Sequence, residues 1–424
     1  MKSFMRRAAG VLLPMVCALT AAFSGCEAVG EKVNNFLEND SNIGKNAPAV
    51  MGTLADPRDF AQSEELAETE ISEEEKAAAR AAEVLRKQTE RAEEIAAGMT
   101  AEEKIGQMLL ARCPENAAEE MEKYAFGGYT LYAEDFEKRS REEVREFTRE
   151  IAKAAKAAPF IAVDEEGGTV VRVSKFGEFR DEPFSSPQLL YNRGGTELLE
   201  IDGSEKARLL LSLGINFNLA PVADISTDST SYIYPRTLGQ GAQNTADGIR
   251  AMVSVADKAG IASCLKHFPG YGENTDTHKG AAHDGRELSE FAGRDYIPFE
   301  AGINATEGKT PAVMVGHTVY DVIDPEVPAS LSAVIHKELR ETLGFDGVAV
   351  TDDMGMDAVK EYAGEGSPYV MAVLADNDLL CVTDFETAYS DLKAAYENGE
   401  ITDEILDIHV IRILRMKIQY GIIS

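Results

Sequence analysis

A chain of 424 residues, 44% hydrophobic and 27% charged, can bury a large core in one big domain with appendages or in two domains. Its 42 Lys+Arg against 73 Asp+Glu give a net charge of -31. So acidic a surface repels phosphate backbones and argues against nucleic-acid binding.

Lys2, Arg6 and Arg7 precede a short apolar run over residues 8–22, and Phe23-Ser24-Gly25-Cys26 follow it. The run is too short for a comfortable membrane span. It resembles a bacterial lipoprotein signal, in which small residues precede a Cys that receives lipid. The resemblance implies a signal peptide over 1–26, lipidation of Cys26 and a protein anchored to the outer face of the bacterial cell membrane. An ordinary signal peptide or an uncleaved anchor helix is the alternative. Each lipid CH₂ that enters the bilayer adds roughly 0.8 kcal/mol to such an anchor. Cys17 leaves with the signal, so Cys113, Cys264 and Cys381 remain besides Cys26. They are too few for a disulfide framework, and Cys264 and Cys381, inside apolar runs, read as small core residues.

Residues 27–71 are polar, acidic and aperiodic, which predicts a flexible tether. Ser72 followed by Glu75 fits a capping box and opens an Ala/Glu/Lys/Arg-rich helix over 72–98, ended at Gly98. From residue 99 to 424 the rhythm changes. Apolar runs at 107–111, 128–132, 160–163, 216–219, 262–265, 312–315, 347–350 and 378–382 alternate with helical stretches such as 242–259, 331–343 and 385–398. Strict alternation predicts βαβ units and a parallel sheet. Eight such units predict an α/β fold, a (β/α)8 TIM-type barrel forming a single catalytic domain behind the signal, tether and helix. No Gly-x-Gly-x-x-Gly or Walker loop follows any run, which argues against a nucleotide fold.

Polar residues gather just after several of these runs, where barrels and doubly wound sheets both place ligands. Asp164-Glu165-Glu166-Gly167-Gly168, then Arg172, follow the third; this cluster suits sugar hydroxyls, a cation or simply a tight turn. Lys266-His267-Phe268-Pro269-Gly270 opens a loop that also holds Asp276 and His278. A carboxylate two residues before a His can orient the ring for acid–base chemistry. Zinc held by His267, Asp276 and His278 is a competing use, although the spacing lacks a known metal pattern. Thr351-Asp352-Asp353 follow the seventh run. Adjacent carboxylates at a strand end point in opposite directions, so one of them faces the barrel axis as nucleophile, base or ligand, and Asp353 has helix capping as its alternative. His317 at the sixth strand end either lines the pocket or is structural. No Gly-x-Ser-x-Gly elbow is present, which argues against Ser-His-Asp hydrolysis.

These segments together resemble glycoside hydrolase family 3, in its single-barrel β-N-acetylglucosaminidase branch. The landmarks run in the family's order: 99–107, Asp164 to Gly168 with Arg172, 218–224, Arg236-Thr237-Leu238-Gly239, the Lys-His-Phe-Pro-Gly loop ending in Asp-x-His, and 343–347 leading to Thr351-Asp352. The resemblance implies that Asp352 is the nucleophile of a retaining reaction and His278 the acid/base, oriented by Asp276. It implies that Asp164, Arg172, Arg236, Lys266 and His267 bind the sugar. It implies no cofactor and no metal, and an exo-acting β-N-acetylglucosaminidase acting on N-acetylglucosamine-containing glycans. Glu165, Thr169 and Tyr271 depart from the family's common Gln, Arg and His, which leaves substrate preference open. A β-glucosidase or phosphorylase of the same family, or a non-catalytic carbohydrate-binding lipoprotein, are the alternatives.

Overall fold

Eight short strands form one parallel sheet: β1 (Leu109–Arg112), β2 (Gly128–Leu131), β3 (Phe160–Val163), β4 (Phe217–Asn218), β5 (Ala262–Phe268), β7 (Ala312–Val315), β10 (Ala349–Thr351) and β11 (Leu380–Val382). This computed structural model describes residues 73–273, 280, 282–306, 308–360, 362, 364 and 366–424. The expected signal with Cys26, the tether, Ser72, Asp276 and His278 lie outside the described residues. The sheet order is β10-β7-β5-β4-β3-β2-β1-β11, parallel throughout. The two ends meet where Thr351 N donates to Leu379 O at 3.0 Å and Leu379 N to Ala349 O at 3.0 Å. The chain therefore closes into an α/β barrel. Strands covered on both faces carry no polar alternation, which is why runs such as Phe160-Ile161-Ala162-Val163 are buried at every position.

Local chemistry sets the helix starts. Thr100 and Glu103 form a reciprocal capping box on the Ala101–Gln107 helix, and Ser140 and Glu143 do so on Arg141–Ala154; each satisfies two otherwise orphaned backbone donors. The helix expected over 331–343 is broken into Ala333–Lys337 and a wider π-helical turn, Glu338–Thr342. The first expected strand starts two residues later than the apolar run, because Gln107 ends a helix and turns inward. Gln107 Nε2 donates to Ala125 O at 2.6 Å, tying the base of β1 to that of β2. A small second sheet of β6 (Ala282–Asp284), β8 (Thr318–Tyr320) and β9 (Asp324–Pro328), absent from the periodicity reading, rises beside β5 and β7.

Charged groups lock the far end of the barrel. Asp376, Asp378 and His409 bring ligand atoms together, but guanidinium groups already occupy the carboxylates. Arg340 Nη2 lies 2.7 Å from Asp378 Oδ2, Arg412 Nη1 2.9 Å from Asp376 Oδ1, and His409 Nδ1 2.8 Å from Asp378 Oδ1. Two arginines in the ring make this a structural knot where strand N-termini meet, not a cation site. The Glu73–Ala97 helix packs against the Asp403–Gln419 helix there, and Gln419 Nε2 donates to Gln88 Oε1 at 3.3 Å.

Candidate functional site

The strand C-termini surround a cavity of about 530 Å³, within the size of sites that enclose small ligands. Asp164, Arg172, Arg236, Lys266, His267 and Asp352 all line it. They reach it from the ends of β3, β4, β5 and β10 or the loops that follow, so a closed sheet brings together residues up to 188 positions apart in sequence (164 to 352).

The loop after β3 is built on its own carboxylate. Glu165 is fully buried, and its oxygens accept from Arg172 N (2.8 Å), Val173 N (2.8 Å), Ser174 N (3.2 Å) and the Ser174 hydroxyl. Gly167, at φ 101°, makes the turn possible, since a Cβ there would meet Ser185 O at 2.3 Å. Glu165 therefore faces backbone, not cavity, and its departure from the family's Gln does not reach a ligand. Replacing it with Gln would turn an amide N–H₂ toward these donors. The expected result is a loss of about 2 kcal/mol of stability, read by denaturant unfolding, with substrate KM unchanged; equal stability of the two proteins would show that the turn is held otherwise.

Glu166, by strand alternation, turns the other way, into the cavity. Its carboxylate takes a bidentate pair from Arg236 (2.7 and 3.0 Å) and lies 2.7 Å from Lys266 Nζ. Lys266 Nζ also donates to Asp164 Oδ1 at 2.6 Å. Burial opposes the charge on each group, but the Lys266 and Arg236 cations hold Glu166 well below the usual carboxylate range, and Asp164 and Glu166 hold Lys266 above the usual lysine range. The network stays charged and fixed. Arg172 is different: among the described residues its buried Nε has no partner, so it carries spare donors at the cavity wall.

Lys266 and His267 both reach the cavity because the register with β7 shifts between Lys266 and Phe268; such a bulge re-aims a side chain. His267 is held by Asp224, whose Oδ2 accepts from His267 Nδ1 at 2.7 Å and from His267 N at 3.1 Å, while Oδ1 accepts from Tyr271 N at 2.7 Å. The other ring nitrogen, Nε2, faces Arg236 Nη2 at 3.5 Å. A guanidinium only donates, so in this contact Nε2 is the acceptor. With both nitrogens engaged and a cation alongside, His267 is poorly placed to ligate zinc. Asp224 and Glu166 were missed by the sequence reading of the site.

Asp352 continues β10, the seventh barrel strand, alongside β7, with its N–H on Val315 O at 3.0 Å. Its Oδ1 accepts from Asp353 N at 2.9 Å. Burial pushes the Asp352 carboxyl up, but the His267 and His317 imidazoles, the Asp353 amide and the Lys266 ammonium outweigh it and hold it at about 2. It is ionised at any ordinary pH. Asp353 also borders the cavity, its carboxylate accepting from Gly355 N at 2.8 Å and from the Thr383 hydroxyl at 2.9 Å. His317 is buried behind the pair and absent from the cavity wall. Its Nε2 donates to Asp353 O at 3.1 Å and its Nδ1 accepts from the Ser330 hydroxyl at 2.7 Å. Burial lowers its pKa, against the pull of the neighbouring Asp352 carboxylate. Cys381 is buried and lines the wall, with burial raising its thiol pKa far above normal, so it is inert; Cys113 and Cys264 are buried free thiols.

Comparison with known proteins agrees with this architecture. The glycosyl hydrolase family 3 N-terminal domain matches residues 100–416. A β-hexosaminidase of Hydrogenovibrio crunogenus is 32% identical over 284 residues, 65% of this chain and 77% of that protein. One of Xanthomonas campestris pv. campestris is 35% identical over 244 residues, 55% of this chain and 70% of that protein. Among solved structures, a glycoside hydrolase family 3 β-N-acetylglucosaminidase from Paenibacillus superposes with a TM-score of 0.69 at 28% identity, over 76% of this chain and 63% of that one. The β-N-acetylhexosaminidase from Beutenbergia cavernae does so with 0.63 at 25%, over 74% and 98%. With the family's domain matched over most of its length and its barrel closed around a charged cavity, this chain belongs to glycosyl hydrolase family 3 and is a glycoside hydrolase.

Proposed function

We propose that the protein is an exo-acting, retaining β-N-acetylglucosaminidase that removes terminal β-linked N-acetylglucosamine. The observation that carries the reading is Asp352, an ionised carboxylate at the end of the seventh barrel strand facing a cavity walled by Asp164, Arg172, Arg236, Lys266 and His267. In the first step the Asp352 carboxylate attacks the anomeric carbon, the glycosidic C–O bond breaks, and His278, oriented by Asp276, gives its proton to the departing oxygen. In the second, the neutral His278 takes a proton from water, the water oxygen attacks the anomeric carbon, and Asp352 leaves. Double displacement retains configuration. A His needs little tuning for this exchange, since its unperturbed pKa of about 6.5 is close to working pH. The charged groups across the cavity bind the sugar hydroxyls, with Arg172 supplying free donors.

Release of N-acetylglucosamine from a nitrophenyl glycoside and from chitobiose tests the reading, and sugar binding without turnover would overturn it in favour of a carbohydrate-binding protein. Sugar 1-phosphate appearing only when phosphate is added would move the assignment to phosphorolysis. Asp224→Asn is expected to lower kcat/KM roughly 10²-fold, the cost of a small misplacement of a positioned group. An Asn offers one acceptor where His267 and Tyr271 now use two. An unchanged rate in steady-state assays would remove His267 from the sugar's contacts.

The proposal extends to location: export with lipid on Cys26 and the enzyme on the outer face of the cell membrane. The supporting feature is the basic, apolar, small-residue-then-Cys order of residues 2–26. Cys26→Ser should abolish labelling by a fatty-acid probe, and retained labelling refutes the assignment.

A further inference from the structure

We propose that Tyr232 and Tyr271 form a stacking wall for the sugar on the leaving-group side, and that the site accepts an uncharged pyranose there. The inference deepens the proposed function and rests on it.

Depth orders the cavity. Lys266, Glu166 and His267 are only 2–5% exposed and make its floor, whereas Tyr232 is 38% exposed and stands at its mouth. A terminal sugar seated on the floor, its anomeric carbon at Asp352, sends the next ring outward past the mouth. Tyr271 lies at the floor's depth and adjoins Tyr232. It is 4% exposed, its ring lies 5.7 Å edge-on to the His267 imidazole, and its N–H is fixed by the same Asp224 that holds His267. Tyr232 continues from it, with ring centroids 6.0 Å apart and planes 38° from parallel. Both rings line the cavity. The result is a tilted aromatic pair on the cavity wall, its inner ring anchored beside His267 and its outer ring, Tyr232, at the rim.

A pyranose presents C–H faces that suit such a surface, and tyrosine offers a large rigid area at low entropy cost. The charge of the cavity selects against an anion. Lys266 and Arg236 are already neutralised by Asp164 and Glu166, and Asp352 with Asp353 leaves the lining net negative against the one remaining cation, Arg172. The whole chain adds a charge of -31. A carboxylate on the outer sugar would meet repulsion from this lining. The class of substrate is therefore a β-linked oligosaccharide end with neutral N-acetylglucosamine-type sugars in both positions.

The test compares kcat/KM on methyl β-N-acetylglucosaminide with kcat/KM on the β-1,4-linked disaccharide, for wild type, Tyr232→Ala and Tyr232→Phe. Tyr232 is exposed, so neither variant threatens the fold. Tyr232→Ala is expected to lose about 10-fold more on the disaccharide than on the methyl glycoside, as loss of one stacked ring implies, and Tyr232→Phe to keep the disaccharide preference. Equal losses on both substrates overturn the wall. A wild-type preference for a disaccharide whose outer sugar carries a carboxylate overturns the charge argument. Absence of wild-type turnover on every substrate defeats the underlying glycosidase reading instead, which separates the two failures.

Discussion

Asp352→Asn is expected to abolish turnover, with a loss on the order of 10⁴-fold or more in kcat, as removing a covalent nucleophile does elsewhere. The fold should survive, because Asn keeps an oxygen to accept the Asp353 amide that Asp352 now holds at 2.9 Å. What is lost is charge. Burial alone would raise this carboxyl, yet the imidazoles, the amide and Lys266 bring it to about 2, so from about pH 4 upward it is fully ionised. Two consequences separate nucleophile from bystander. The acid limb of the wild-type pH–rate profile should not follow Asp352, since the enzyme meets its titration only near pH 2. The smaller variant Asp352→Ala should be partly rescued by azide, which attacks from the vacated face and yields a glycosyl azide of inverted anomeric configuration. Turnover by Asp352→Asn within 10-fold of wild type (about 1.4 kcal/mol of barrel-mouth stabilisation) would end the assignment.

The sequence makes the strand ends legible but not the directions of their side chains. Eight largely apolar runs alternating with helices suffice for the barrel, because strands such as Phe160–Val163 are buried on both faces and carry no polar alternation. Short strands blurred the ends: β4 keeps only Phe217 and Asn218 of a four-residue run, and Asn218 spends its side chain on the backbone of Glu165. Glu165 and Glu166 look alike in sequence. One closes a turn and the other enters the cavity, and only register decides which, since a shift by one residue exchanges the faces. Asp224 was hidden for a different reason. It ends the 218–224 landmark but lies 43 positions from His267, and only barrel closure makes them neighbours. The bulge that turns both Lys266 and His267 inward also breaks the alternation rule on which a sequence argument depends.

Lys417→Met is expected to change the pH dependence of stability and to reverse sign within it. Lys417 lies fully buried at the base of the barrel on the Asp403–Gln419 helix. Its Nζ donates to Gln107 Oε1 at 2.8 Å and sits 5.2 Å from the Phe160 ring centroid. No carboxylate pairs with it among the described residues, and burial pushes its pKa down to about 7. In the unfolded chain it returns to about 10.4. Between these values the unfolded chain binds more protons than the folded one, so wild-type stability rises with pH from about 7 to about 10; below 7 both states are protonated and the full penalty is present. At pH 7 that penalty is roughly 4 kcal/mol, from about three pK units at 1.36 kcal/mol each. Methionine of similar shape removes it but leaves Gln107 Oε1 without its donor, a cost of about 1–3 kcal/mol. The variant should therefore be more stable than wild type by about 1–3 kcal/mol at pH 7 and less stable above about pH 11, where the lysine is neutral in both states. Denaturant unfolding of both proteins across this range measures the difference. Parallel curves would mean that Lys417 keeps its proton in the folded state at the same pH as in the unfolded chain, and that the ammonium is solvated or paired where the packing around Gln107 and Phe160 leaves it no room.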